Sequence, residues 1–145
     1  MVTSFKDFIS NFENIEPLSN FQIIDKCKEL QIKNFKGVFM RDELLGMKSI
    51  QNECLVLNTD DSSGNGIHWV SLFIKNGIAL YFDSYGNEPL EEVKTYCSGY
   101  YSTDRIQQDD RVMSLCGYYC MYMLYRLSNG HNFYDVLNEL YRCKI

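Results

Sequence analysis

The apolar and polar positions are most informative in the middle of the chain, around Gly66-Ile67-His68-Trp69 and Asp83-Ser84-Tyr85-Gly86. Between these motifs, two runs rich in apolar, β-branched and aromatic residues flank Lys75-Asn76-Gly77. Asn-Gly supplies the positive-φ residues that a tight hairpin turn requires, so this stretch predicts two antiparallel strands. Upstream, Glu53 to Asn58 is a compact apolar run between polar residues and predicts a buried strand. Phe35 to Met40 predicts a short extended piece, followed by a turn or a single helical turn at Arg41 to Leu45. Thr59 to Asn65 is a polar loop that delivers the chain to the hairpin.

Helices are expected on both sides of this segment. Thr3 or Ser4 caps a first helix with Phe5, Phe8, Ile9 and Phe12 at helical spacing, and Asp7 suits its first turn. After Glu16-Pro17, a second short helix starts at Asn20, with Phe21, Ile24, Cys27 or Lys28, and Leu30 on its buried side. Pro89 to Tyr96 fits a helix with Leu90, Val93 and Tyr96 inward, and Tyr100 to Arg105 a short strand. Residues 117–127 are apolar nearly all round, which predicts a helix in the middle of the fold. Asn129-Gly130 ends it. A last amphipathic helix places Phe133, Val136, Leu137, Leu140 and Tyr141 inward.

Composition narrows the function classes. At 145 residues the chain suits one domain with a real core, and neither repeat nor linker interrupts it. A net charge of -5 with scattered acidic residues argues against a general nucleic-acid binder, which needs a basic stripe. No secretory signal and no run of membrane-spanning length is read from the sequence, so no membrane partner is expected. The six cysteines are therefore expected as reduced thiols in an intracellular setting. Cys116-x-x-x-Cys120 with two distant histidines is a poor zinc ligand set, and neither metal nor cofactor is expected.

The candidate chemistry lies in three residues. Folding the hairpin brings His68, at the start of one strand, near Asp83, at the end of the other, so the carboxylate can fix the imidazole tautomer. Cys116, in Ser114-Leu115-Cys116-Gly117, stands where the buried helix begins, and helix N-termini stabilise a thiolate. A thiolate beside His⁺ is a nucleophile for a carbonyl carbon, with the histidine later protonating the leaving amine. The backbone N–H of Cys116 and a side-chain amide from Gln107 or Gln108 are the candidate oxyanion donors. Taken singly, a cysteine is most often a small buried apolar residue. His131 reads as a solvated helix-end residue.

His68-Trp69, Asp83-Ser84-Tyr85-Gly86, a glutamine, and Ser114-Leu115-Cys116-Gly117-Tyr118-Tyr119-Cys120 together resemble the adenain (adenovirus-protease) group. That group belongs to the cysteine-protease clan that includes the SUMO-deconjugating enzymes. Phe35-Lys36-Gly37-Val38-Phe39, Asp42-Glu43-Leu44 and Leu57-Asn58-Thr59 extend the resemblance, which runs from about Phe35 to Leu127. It implies an α+β, papain-like/adenain-like fold, with a buried central helix carrying the cysteine against a mostly antiparallel sheet. It implies a Cys116-His68-Asp83 triad, an oxyanion glutamine, and Trp69 and Gly117 beside the substrate. It further implies hydrolysis of viral or mobile-element precursor proteins near small residues such as glycine, by a monomer inside the host cell or virion. An activating peptide or nucleic acid is left open. One departure is that the family's glutamine stands closer to the cysteine, where this chain carries Asp109 and Asp110; Gln108 then requires a slightly longer loop. Ionised Asp cannot donate a hydrogen bond. Removal of a ubiquitin-like modifier and a non-catalytic binding module are the alternatives.

Overall fold

The computed structural model describes residues 4–103, 105 and 115–142. A five-stranded sheet runs in the order β1 (Phe35–Met40), β2 (Glu53–Asn58), β3 (Trp69–Lys75), β4 (Ile78–Phe82), β5 (Tyr100–Ser102). The central pairings, β2 with β3 and β3 with β4, are antiparallel, as the hairpin pattern predicts. Each edge strand instead pairs parallel with its neighbour, because a helical or turn segment carries the chain across before it returns. The hairpin turn holds Asn76 at φ 52° and Gly77 at φ 82°, and Lys75 pairs with Ile78 across it. Both residues between the strands thus take the positive φ that a two-residue turn with the native strand twist demands.

The sheet is covered on both faces, and period-two alternation shows which residues serve which layer. Cys54, Val56, Phe73, Leu80 and Phe82 pack with the helices α1 (Phe5–Ile9), α2 (Asn20–Glu29), α4 (Cys116–Ser128) and α5 (Phe133–Arg142). Their alternates, Leu55, Leu57, Val70, Leu72, Ile74, Ala79 and Tyr81, pack with Leu44 of a 3-10 turn (Arg41–Gly46) and with Val93 and Tyr96 of α3 (Glu91–Tyr96). That is why Cys54 to Leu57 of β2 read as an unbroken apolar run, and the polar ends Glu53 and Asn58 are buried with them. The middle helix α4 buries ten of its residues, so it has no solvent face to mark in the sequence.

The caps match the sequence signals. The Asp7 N–H donates to Ser4 Oγ, and Ser19 and Gln22 form a reciprocal capping box at the start of α2. Asn129 ends α4, with Gly130 following at φ 88°. Three inward assignments are corrected. In α2 the buried residues are Ile23 and Cys27, whereas Phe21 is 72 % exposed and Ile24 only half-buried. In α5, Tyr141 is exposed, its ring lying against Arg105. Helical spacing alone leaves the phase of a short stripe loose by about one residue, and the packing of α2 on β1 and α4 settles it.

Candidate active site

The open end of the hairpin is where polar groups enter the core. Leaving β4, Asp83 is 2 % exposed, and His68, just before β3, is 8 % exposed. The antiparallel register brings them together, and His68 Nε2 lies 2.7 Å from Asp83 Oδ1. The carboxylate is itself held. Tyr85 N–H donates to the same Oδ1 (2.9 Å), and the Asp83 N–H donates to Thr103 Oγ1 (2.8 Å). Thr103 in turn donates its hydroxyl to Tyr81 O, so the first residue after β5 braces the turn after β4. The Tyr85 ring lies against the imidazole, with centroids 4.6 Å apart. His68 is thereby fixed on one nitrogen and one face.

Cys116 opens α4 near His68, and the two side chains interact, with Cys116 favouring the charged imidazole. Because Asp83 occupies Nε2, the ring nitrogen left for the thiol is Nδ1. Burial disfavours the charged imidazole, but the hydrogen bonds and charges of Asp83 and Cys116 outweigh it and raise the His68 pKa to about 9. The ring is therefore held as imidazolium at neutral pH, the state that stabilises an adjacent thiolate. The other described cysteines differ. Burial pushes Cys27 and Cys54 up to about 12 and Cys97 to about 11, and Cys120 goes well above its ordinary value.

A cleft of about 290 Å³ opens in front of Cys116, lined by Leu18, Asn58, Gly66, Ile67 and Trp69 among others. Its outer wall comes from far away in sequence. Trp69 Nε1 donates to Leu18 O (3.2 Å), while Tyr118 Oη donates to Glu16 O (2.9 Å) and accepts from the Glu16 N–H (3.2 Å). Two residues flanking the catalytic candidates thus clamp the 16–18 segment over the cleft. Gly117 is needed at this packing: a Cβ there would lie 3.1 Å from Leu18 Cδ1 and 3.3 Å from Trp69 Cδ1. A second cavity of about 320 Å³ lies on the Asp83 side of His68, against Tyr81, Tyr85 and Leu90. At the turn end of the sheet, a cavity of about 170 Å³ between Lys33, Asn52 and Lys75 is remote from these groups.

The structure therefore brings together His68, Asp83 and Cys116 and sets Trp69 and Gly117 beside them. Gln107 and Gln108 lie outside the described residues. Sequence reading passed over Thr103, Leu18 and Tyr118 as parts of the site, since each acts through a contact with no local signature. Tyr85, in the Asp83-Ser84-Tyr85-Gly86 motif, contributes through its N–H to Asp83 and its ring against His68, which the motif alone does not reveal. His131 is exposed at the end of α4, with Nδ1 3.1 Å from Arg126 O. Among the described residues, no group of His, Cys, Asp and Glu is placed to hold a metal ion, and no helix is long and apolar enough to cross a membrane.

No protein-family model and no curated protein matches the chain. Solved structures do. The crystal structure of ASFV pS273R protease superimposes with a TM-score of 0.67 at 18 % identity, covering 89 % of this chain and 66 % of that one. Its Se-Met form gives a TM-score of 0.65 at the same identity and coverage. The fold is that of a viral cysteine protease. It is the SUMO-protease-like α+β fold, with a five-stranded sheet. The chain spans 66 % of the length of the protease it matches.

Proposed function

We propose that the protein is a cysteine endopeptidase working through Cys116, His68 and Asp83. The observation that carries this reading is the position of His68. One ring nitrogen is held by a buried carboxylate at 2.7 Å, and the ring interacts with a cysteine that begins a helix and faces a cleft. In the proposed reaction Cys116 Sγ, as thiolate, attacks the scissile carbonyl carbon while His68 holds the thiol proton. The Cys116 N–H and the Gln108 amide donate to the oxyanion. Collapse of the adduct breaks the C–N bond, and His68 gives its proton to the leaving amine. Water then attacks the thioester, releasing the carboxylic acid and returning the proton to the Cys116–His68 pair.

The cleft bounded by Trp69, Leu18 and Ile67 favours small residues beside the scissile bond, glycine among them. Viral or mobile-element precursor proteins in the host cell or virion are the substrates that the adenain-like motifs suggest. The same chemistry on an isopeptide bond to a ubiquitin-like modifier is a second reading, favoured by the SUMO-protease-like fold.

Alkylation of the folded protein with iodoacetamide near neutral pH tests the proposal. Cys116 is expected to react roughly 10-fold or more faster than any other cysteine, because among the described cysteines it alone combines a helix N-terminus, His68 and an open cleft. Equal rates at all the thiols would refute the activated nucleophile.

A further inference from the structure

One polar group in the cleft has no task in that mechanism. Asn58 ends β2 and is only 3 % exposed. Its Oδ1 accepts two backbone hydrogen bonds, from Asp60 N and Ile67 N, each 2.9 Å. Two N–H donors on one amide atom identify that atom as the oxygen, so the orientation of the group is settled. Nδ2 then points the other way and donates to no described residue. Asn58 lines the same cleft as Cys116. Nδ2 is not sealed in the core: it opens onto the cleft, where it can exchange a water for an acceptor on a ligand.

Gly66 keeps that amide uncovered. It lines the cleft at φ +98°, and a Cβ built on it would come within 3.1 Å of Asn58 Nδ2. Any larger residue there would be strained and would press on the donor. The chemistry also selects the acceptor. The Asp60 carboxylate accepts from the Gly66 N–H at 3.1 Å on the same loop, which disfavours an anionic ligand beside the amide. A neutral carbonyl oxygen suits both the donor and its acidic neighbour.

We propose that Asn58 is a substrate-binding donor of this site, bonding through Nδ2–H to a main-chain carbonyl of a peptide extended along the Cys116 cleft. This rests on the cysteine-protease reading and adds a sequence-independent hold on the peptide backbone. The amide does not serve the oxyanion; it binds the ground-state chain and sets its register against Cys116.

The test uses two alkylating reagents of equal intrinsic reactivity, iodoacetamide and a short peptide ending in an iodoacetamide group. Neither forms a tetrahedral oxyanion. Asn58→Asp keeps an acceptor for the Asp60 and Ile67 N–H groups but turns the donor into an acceptor. It is expected to slow Cys116 labelling by the peptide reagent about 10- to 100-fold, the scale of losing one buried hydrogen bond. Plain iodoacetamide should label it at the original rate. In the unmodified protein, replacing the peptide's carbonyls one at a time by methylene should reveal a single position with a comparable loss, and Asn58→Asp should abolish that penalty. If iodoacetamide shows no preference for Cys116 in the unmodified protein, the protease reading falls and takes this inference with it. If the preference holds but Asn58→Asp reacts normally with the peptide reagent, or slows both reagents equally, the inference alone is overturned. Should Asn58→Asp fail to fold, an unmodified protein indifferent to every carbonyl replacement overturns it as well.

Discussion

Cys116 and Cys120 stand one turn apart on the same buried helix, and both are free thiols. Cys116 is 8 % exposed, sits at the first turn of α4, meets the His68 ring and borders the cleft. Cys120 is sealed in the core. Its burial, with Cys116 and Asp83 adding like charge, pushes its pKa well above the ordinary thiol value, against a smaller pull from Ser71. One helical turn thus separates a candidate nucleophile from a packing residue. What differs is the neighbourhood that the β3–β4 hairpin presents to each sulfur, since a thiolate needs a cation, a helix terminus or water to be stable.

The largest expected effect breaks this pair apart directly. Cys116→Ala should reduce peptide hydrolysis to background, because no other described thiol meets His68. Cys120→Ala should leave turnover within a few-fold and cost about 1 kcal/mol of stability, measured by denaturant unfolding, for a sulfur removed from a packed core. Loss of activity in a still-folded Cys120→Ala protein would contradict the comparison.

A parallel contrast exists between the histidines. His68→Ala should lower turnover by roughly 10²–10⁴-fold, the usual worth of a general acid–base group, whereas His131→Ala should leave it unchanged. The pH profile sharpens this. With a pKa raised to about 9, His68 is charged at neutral pH and loses its proton as pH rises through about 9. Hydrolysis needs that proton for the leaving amine, so kcat should fall along this alkaline limb while alkylation of Cys116 persists. Asp83→Asn removes a contact that raises the pKa, and the limb should move to lower pH. An unmoved limb in that variant would separate the carboxylate from the titration.

The smallest effect concerns the cleft wall. Gly117→Ala would push a methyl to 3.1 Å from Leu18 Cδ1 and 3.3 Å from Trp69 Cδ1. Both are side-chain atoms, and Leu18 is a half-buried residue in an otherwise exposed loop segment that can give. The cost should therefore be about 1 kcal/mol, the low end for overpacking. KM should rise with kcat nearly unchanged, as checked by steady-state kinetics across peptide concentration.

Local chemistry made much of this protein legible from its residues alone. Asn76-Gly77 carries its own reason for turning, and a run rich in apolar, β-branched and aromatic residues on each side commits the flanks to strands. Residues 117–127 can only be a buried helix, which puts Cys116 at its start. An antiparallel hairpin then requires His68 and Asp83 to approach each other. Tertiary structure alone decided what surrounds them. The parallel edges of the sheet follow from where α3 and the 3-10 turn find room, which no strand pattern records. Phe21 points outward although the helix pattern allowed it inward, because only contact with β1 and α4 sets the phase. The Thr103 brace on Asp83, the Trp69 bond to Leu18 and the Tyr118 bond to Glu16 join positions 20, 51 and 102 residues apart. Asn58 shows the limit most clearly. A sequence declares that an amide is present, but only the folded backbone determines which of its atoms is already engaged and which one faces the cleft.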